Sequence, residues 1–236
     1  MTSRASSRSI LLTDLPKMLL VALESSTRSP SIAVYADGEL RAECLDGGRP
    51  HASDLLPCLE GILSSLERSP REITHVAVGT GPGSYTGLRV GIATAQGLAR
   101  AADAELIGVP SLEALAFGEL SPGEHGDLVL DARGGGLYHA RYSRSQAGVS
   151  SLISPRVVPS EELDNILCDS SIAFLDQSLE VRAKTRAELQ LIFGLVPSAE
   201  SILALAQQRI QNTDLGENEP ILPLYLRPFE GRIRKR

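Results

Sequence analysis

The chain has 236 residues, 42% of them hydrophobic and 22% charged, the composition of a folded protein of one large or two small domains. Aromatics make up 4% and Trp is absent, which argues against an aromatic stacking platform for single-stranded nucleic acid, and no apolar run reaches the roughly 18 residues of a membrane helix. The net charge of -6 conceals an acidic body: residues 18–225 hold 15 basic against 27 acidic side chains, or -12, a poor electrostatic match for a polyanion.

Residues 1–17 have scattered Arg and Ser and one short apolar patch, and are expected to be a disordered or mis-started extension ahead of Met18. The run LLVAL at 19–23 suits a strand buried on both faces, ending in the polar turn Glu24-Ser25-Ser26-Thr27. A second strand follows at 31–35. Asp37-Gly38 marks a tight hairpin into a third strand near 39–45, and Gly47, Gly48 and Pro50 then break the chain. From 54 to 66 the positions Leu55, Leu59, Ile62 and Leu66 repeat at helical spacing, with Leu56 and Leu63 beside them. So broad an apolar arc means either deep burial or two neighbours, the helix's own sheet and another subunit.

The next buried strand is VAVG at 76–79, then a glycine loop at 80–87 and a helix over 88–102 rich in Gly and Ala. A short strand at 106–109 precedes a helix capped by Ser111. The pattern then restarts: a strand over 127–133, a turn of three glycines at 134–136 and a strand over 137–142, with Asp131 placed as Glu24 is in the first unit. A strand near 156–158, a helix over 160–167 and a strand over 172–175 follow. Beyond a charged stretch of low pattern lies a helix over 201–211. The end, 220–228, is proline-broken and carries LYLR. The divisions expected are a first lobe over 18–120 completed by the chain from about 200, a second, smaller lobe over 121–200, and a basic tail over 227–236 that reads as a solvated terminus.

Chemistry-bearing patterns are few. GTGPGSYTGLR at 79–89 follows a strand and opens a helix, a place where backbone N–H groups can cradle a phosphate. It lacks the Gly-Lys-Ser/Thr ending of a P-loop and the acidic residue of a dinucleotide fold, so a tight turn that lets strand and helix pack closely explains it equally well. A cleft for phosphate or nucleotide would draw on Glu24, Ser25, Ser26 and Thr27, on Gly81, Gly83, Ser84, Thr86 and Arg89, and on Asp131. Glu24 and Asp131 could hold a metal there, or simply cap turns. The three lysines, Lys17, Lys184 and Lys235, are not near them in sequence. His51, His75, His125 and His139 show no metal-pair spacing, no GxSxG elbow is present, and Cys44, Cys58 and Cys168 show no CxxC. No metal, cofactor or catalytic residue is expected, and the unpaired cysteine count fits a reducing compartment.

In order along the chain, MLLVALESST at 18–27, the His51-led helix, GPGSYTGLRVG at 81–91, AQGLA at 95–99, GVPSL at 108–112, DAR at 131–133 and PLYLR at 223–227 resemble the TsaB (YeaZ) family. The resemblance implies an α/β fold of the actin, sugar-kinase and Hsp70 type, with two ribonuclease-H-like lobes. It further implies a cytoplasmic accessory role in forming threonylcarbamoyladenosine in tRNA, with a TsaD-like catalytic paralogue as heterodimer partner and a TsaE-like ATPase completing the complex. Contact with tRNA would be indirect, and two copies would pair when the paralogue is absent. Glu24 stands where the family usually has Asp, and no Gly-Gly adenosine loop follows 172–175. The competing reading is a working small-molecule kinase or metal-dependent glycoprotease of the same fold. The interface implied lies on the two first-lobe helices: Leu55, Leu56, Leu59, Ile62, Leu63 and Leu66 on one, and Val90, Gly91, Thr94, Gly97, Leu98 and Ala101 on the other. Leu59→Glu would then break assembly and spare the fold.

Overall fold

The computed structural model describes residues 18–45, 54–183, 189–212 and 220–227. The extension 1–17, the breaker glycines 47 and 48 with Pro50, His51, all three lysines and the tail beyond Arg227 lie outside the described residues. The first sheet joins β1 (Leu19–Glu24), β2 (Ser31–Ala36), β3 (Glu39–Cys44), β4 (His75–Gly79) and β5 (Glu105–Val109) in the order β3-β2-β1-β4-β5. β1 runs antiparallel to β2 and parallel to β4, and every one of its residues is buried. Asp37 (φ 50°) and Gly38 (φ 89°) make the hairpin between β2 and β3, a two-residue turn with both central residues at positive φ, whose twist matches that of the strands.

The second sheet repeats this plan. β6 (His125–Arg133), β7 (Gly136–Arg144), β8 (Val149–Pro159), β9 (Ile172–Leu175) and β10 (Gln190–Phe193) lie in the order β8-β7-β6-β9-β10, with the same pattern of parallel and antiparallel neighbours. The duplication read from two short segments therefore extends to ten strands, and the fold is the actin/sugar-kinase/Hsp70 type with two lobes.

Strand alternation sends side chains to both faces, so a central sheet needs cover on each side. Val21, Leu23, Ile32 and Val34 pack against α1 (Leu55–Ser65) and α2 (Tyr85–Ala102). Leu20, Ala22, Ala33 and Tyr35 pack against α5 (Ala199–Gln211), which returns from the end of the chain. α3 (Ser111–Glu119) lies between the sheets, its Leu112, Leu115 and Ala116 meeting Leu128, Leu130 and Phe174. α4 (Leu163–Cys168) covers the far face of the second sheet.

Four expectations are corrected. Leu55, Leu59, Ile62 and Leu63 are at most 3% exposed and belong to the first sheet's core, and Gly91 is buried against Ser25, so these five face inward and Leu59→Glu would bury a charge in that core rather than spare the fold. α2 begins at Tyr85, three residues before Leu88, because the Ser84 hydroxyl caps it by accepting the Gly87 N–H at 3.2 Å. Ser111 makes no cap. It is the first residue of α3, and its hydroxyl is committed elsewhere. β10, unread in the sequence, is a four-residue strand of partly exposed side chains with no alternation to reveal it. No disulfide joins the three cysteines, and burial with the neighbouring Glu43 carboxylate pushes the Cys58 thiol up to about 12.

One buried polar cluster braces the second sheet. Asp127 is fully buried; it accepts from His139 Nε2 at 2.6 Å, from Arg141 Nε at 3.0 Å and from the Ser170 hydroxyl. Arg156 Nε donates to His139 Nδ1 at 3.3 Å, so the ring proton sits on Nε2, facing the carboxylate. Burial alone would raise the Asp127 pKa, but the three donors outweigh it and hold the group below its ordinary range. A folded-state pKa below the unfolded one gives stability that is present above the ordinary value of 3.8 and lost as the pH falls further. Asp127→Ala is expected to cost about 3 kcal/mol in urea unfolding at neutral pH, since it strands buried donors. The gap between variant and parent should close in titrations below that value.

Candidate functional site

The segment from 79 to 91 is pressed against the turn that ends β1. Glu24 is fully buried, and its carboxylate points back into the turn: Oε1 accepts the Ser26 N–H at 2.6 Å and Oε2 the Ser111 hydroxyl at 2.6 Å. Ser111 Oγ in turn accepts the Gly81 N–H at 3.2 Å, and its own N–H goes to the Gly81 carbonyl at 2.8 Å. Glu24 is thus a brace for the loop and not a ligand aimed at solvent. Four glycines at a spacing of four make the approach possible. A Cβ would stand 2.2 Å from Glu24 Oε2 at Gly79, 2.5 Å from the Ser26 carbonyl at Gly83, 2.0 Å from the Ser25 carbonyl at Gly87 and 2.0 Å from Ser25 Oγ at Gly91. The Ser84 N–H to the Ser26 carbonyl (2.7 Å) and the Ser25 hydroxyl to the Gly87 carbonyl (2.9 Å) fasten the contact.

Between the lobes lies a cleft of about 490 Å³. Of the residues expected there, Ser26, Thr27, Gly83, Ser84 and Asp131 line it; Glu24, Ser25 and Gly81 are turned into the packing behind its wall. Thr86 is exposed on the first turn of α2, outside the lining, and Arg89 leaves the cleft altogether: its guanidinium lies 4.9 Å over the Tyr85 ring and borders the outer face of α2. The second lobe adds Arg133, Tyr138, Asp176 and Ser178, and the first adds Arg28 and Ser29. Arg133 could have been read from its place directly after Asp131-Ala132; Asp176 and Ser178, beyond β9, carried no pattern. Asp131 accepts its own turn's Arg133 N–H at 2.8 Å, the capping role weighed for it. Among the described residues no cluster of three or more His, Cys, Asp or Glu is arranged to hold a metal ion.

On their outer surface, away from the first sheet, α1 and α2 share an open apolar groove. Leu56 and Val90 are exposed at 49% and 36%, and Thr94, Gly97, Leu98 and Ala101 complete its floor and walls with Ala93. Leu66 is half-buried beside the core. Nothing lies within 4 Å of where a Gly97 Cβ would stand, so this glycine leaves room on the outside, whereas Gly91 makes room on the inside. Gly91→Ala is expected to cost about 2 kcal/mol in thermal or urea unfolding through its overlap with Ser25 Oγ. The loss should shrink in a Ser25→Ala background, where that oxygen is gone.

Residues 46–214 match the family model described as TsaD, tRNA N6-adenosine threonylcarbamoyltransferase. The tRNA threonylcarbamoyladenosine biosynthesis protein TsaB of Escherichia coli is 30% identical over 220 residues, covering 89% of this chain and 95% of that protein. The Haemophilus influenzae protein of the same name is 30% identical over 222 residues, with 89% and 94% covered. Among solved structures, YeaZ from Pseudomonas aeruginosa superposes with a TM-score of 0.73 at 27% identity, over 89% of this chain and all of that one. A protein titled as similar to peptidase YeaZ from Pseudomonas aeruginosa gives 0.74 at 29% identity. At 30% identity over about nine-tenths of its length, and with 46–214 matching the TsaD model, the chain belongs to the TsaB family, within the wider family that the TsaD model describes.

Proposed function

We propose that this chain is a non-catalytic partner in threonylcarbamoyladenosine formation at the tRNA adenosine next to the anticodon, holding a TsaD-like paralogue through the outer face of α1 and α2, with a TsaE-like ATPase completing the assembly. The observation that carries the reading is the groove itself. Seven small or apolar residues lie together at the surface, and of these only Leu98 also packs against the core beneath. Gly97 is the clearest, because an exposed mid-helix glycine costs roughly 1 kcal/mol against Ala and packs nothing within this chain. Small residues on a pair of helices let a second pair approach closely, as in a four-helix contact.

The interface residues implied by the resemblance reduce to the outward subset: Leu56, Val90, Thr94, Gly97, Leu98 and Ala101. The same face would pair two copies of this chain when the paralogue is absent, since a two-fold interface sets one patch against its own copy. The cleft chemistry agrees with a supporting role: one strand-end carboxylate is spent on the Ser26 and Ser111 hydrogen bonds and the other on its own turn. The assembly works with tRNA through the partner, and the chain carries no metal or nucleotide of its own in this reading.

Two substitutions test it. Gly97→Leu fills the groove from a position whose Cβ has nothing within 4 Å, and Leu56→Glu places a charge in it. Each is expected to abolish co-purification with the TsaD-like paralogue from the same organism and to remove threonylcarbamoyladenosine formation in the reconstituted system, while the melting temperature stays within a few degrees of the parent. Retained co-purification of both variants would overturn the interface. Steady ATP turnover by the purified chain alone, or a stoichiometric metal, would favour the kinase or glycoprotease alternative.

A further inference from the structure

The segment 220–227, quoted in the sequence for its PLYLR, crosses from one lobe to the other, and each end is anchored differently. In the first lobe, Ile221 packs at 3.1 Å from where a Gly108 Cβ would be, and the Leu224 N–H donates to the Thr80 carbonyl at 2.8 Å. The Tyr225 ring stacks on Tyr85 at a centroid distance of 4.6 Å. In the second lobe, Leu226 joins the apolar cluster under β6 and β7. Arg227 Nη1 donates to the Ala132 carbonyl at 3.2 Å and to the Arg133 carbonyl at 2.7 Å. The guanidinium lies so flat on Gly136 that a Cβ there would fall 1.7 Å from Nη2, and the three atoms nearest that point all belong to Arg227.

Each anchor bears on one wall of the cleft. Thr80 precedes the Pro82–Ser84 wall, and Ala132 and Arg133 are themselves part of the opposite one. We propose that residues 221–227 are an interlobe strap, with Arg227 as its latch on the β6–β7 turn, that fixes the two walls of the cleft at one separation. The chain already crosses between the lobes twice, between α3 and β6 and again at 194–198 between β10 and α5; the strap is a further tie, and it acts directly on the two walls of the cleft. The strap acts within the isolated chain and does not rest on the partner-docking reading above.

Hydrogen exchange read by mass spectrometry on the full chain separates a strap from a passively packed end. Arg227→Ala is expected to speed exchange roughly tenfold at 131–136, the loss of charge-assisted hydrogen bonds to two carbonyls. It should also loosen 221–226 and 80–84, on the other side of the cleft, while β1 and α1 exchange as in the parent. Gly136→Ala, 91 residues away in sequence, evicts the guanidinium and should give the same pattern, with the double variant no faster than either single one. Leu224→Pro removes the N–H given to Thr80 and should loosen 131–136 from the opposite end. Changes confined to the substituted lobe in all three variants, or additive effects of the first two, would overturn the strap.

Discussion

The close contact between the turn after β1 and the glycine row at 79, 83, 87 and 91 is the constraint on which the first lobe depends. Backbone and short side chains of Glu24, Ser25 and Ser26 sit where four Cβ atoms would otherwise be, and the loop is tied down by hydrogen bonds from both directions. This sets the height at which α2 enters against the sheet, and with it the tilt of the helix whose other face forms the groove. Gly87 and Gly91 weaken α2 as a helix by roughly 1 kcal/mol each, a cost offset by the close, hydrogen-bonded contact with Ser25 that they permit. A motif that looks like a phosphate cradle has therefore been used to join a strand end to a helix start.

The same topology serves different ends in the two lobes. The first sheet is covered on one side by α1 and α2 and on the other by α5, while the second has α3 on one side and the short α4 on the other. Where the first lobe has an 18-residue helix after β4, the described chain after β9 has only a single turn at 177–179. The helical bulk, and with it the exposed apolar groove, is concentrated on one flank. The second lobe instead spends its polar residues on an internal network around Asp127, which fixes the packing of β6, β7 and the turn after α4.

Much of this could be read from the sequence, for definable reasons. β1 and β4 are continuous apolar runs because both their faces are covered, and Asp37-Gly38 declares its hairpin by the positive φ both residues adopt. The duplication was visible at Glu24 and Asp131 because turn chemistry recurs at fixed places. Other features were out of reach. The arc of α1 fixes which residues are apolar but not how the helix is rotated on its sheet, so Leu59 and Leu56 looked alike although one is 3% and the other 49% exposed. Arg89 looked like a phosphate ligand because it follows the glycine loop; helical geometry carries it round to the outer face, over Tyr85. The Asp127–His139–Arg141 cluster joins residues of ordinary type on neighbouring strands, and only the register brings them together.

The position of α5 has a consequence for biosynthesis. Leu20, Ala22, Ala33 and Tyr35 are made early, yet the helix that shields them comes from residues 199–211, and its first N–H is bonded to the Ser31 hydroxyl at 2.9 Å. A growing polypeptide emerging from the ribosome must hold that oily face of its opening strands unshielded until residues 199–211 have followed. The usual order, in which the leading portion folds before the trailing one is finished, is closed to it. The leading lobe is completed last, and the nascent intermediate is the species most exposed to chaperones and to aggregation.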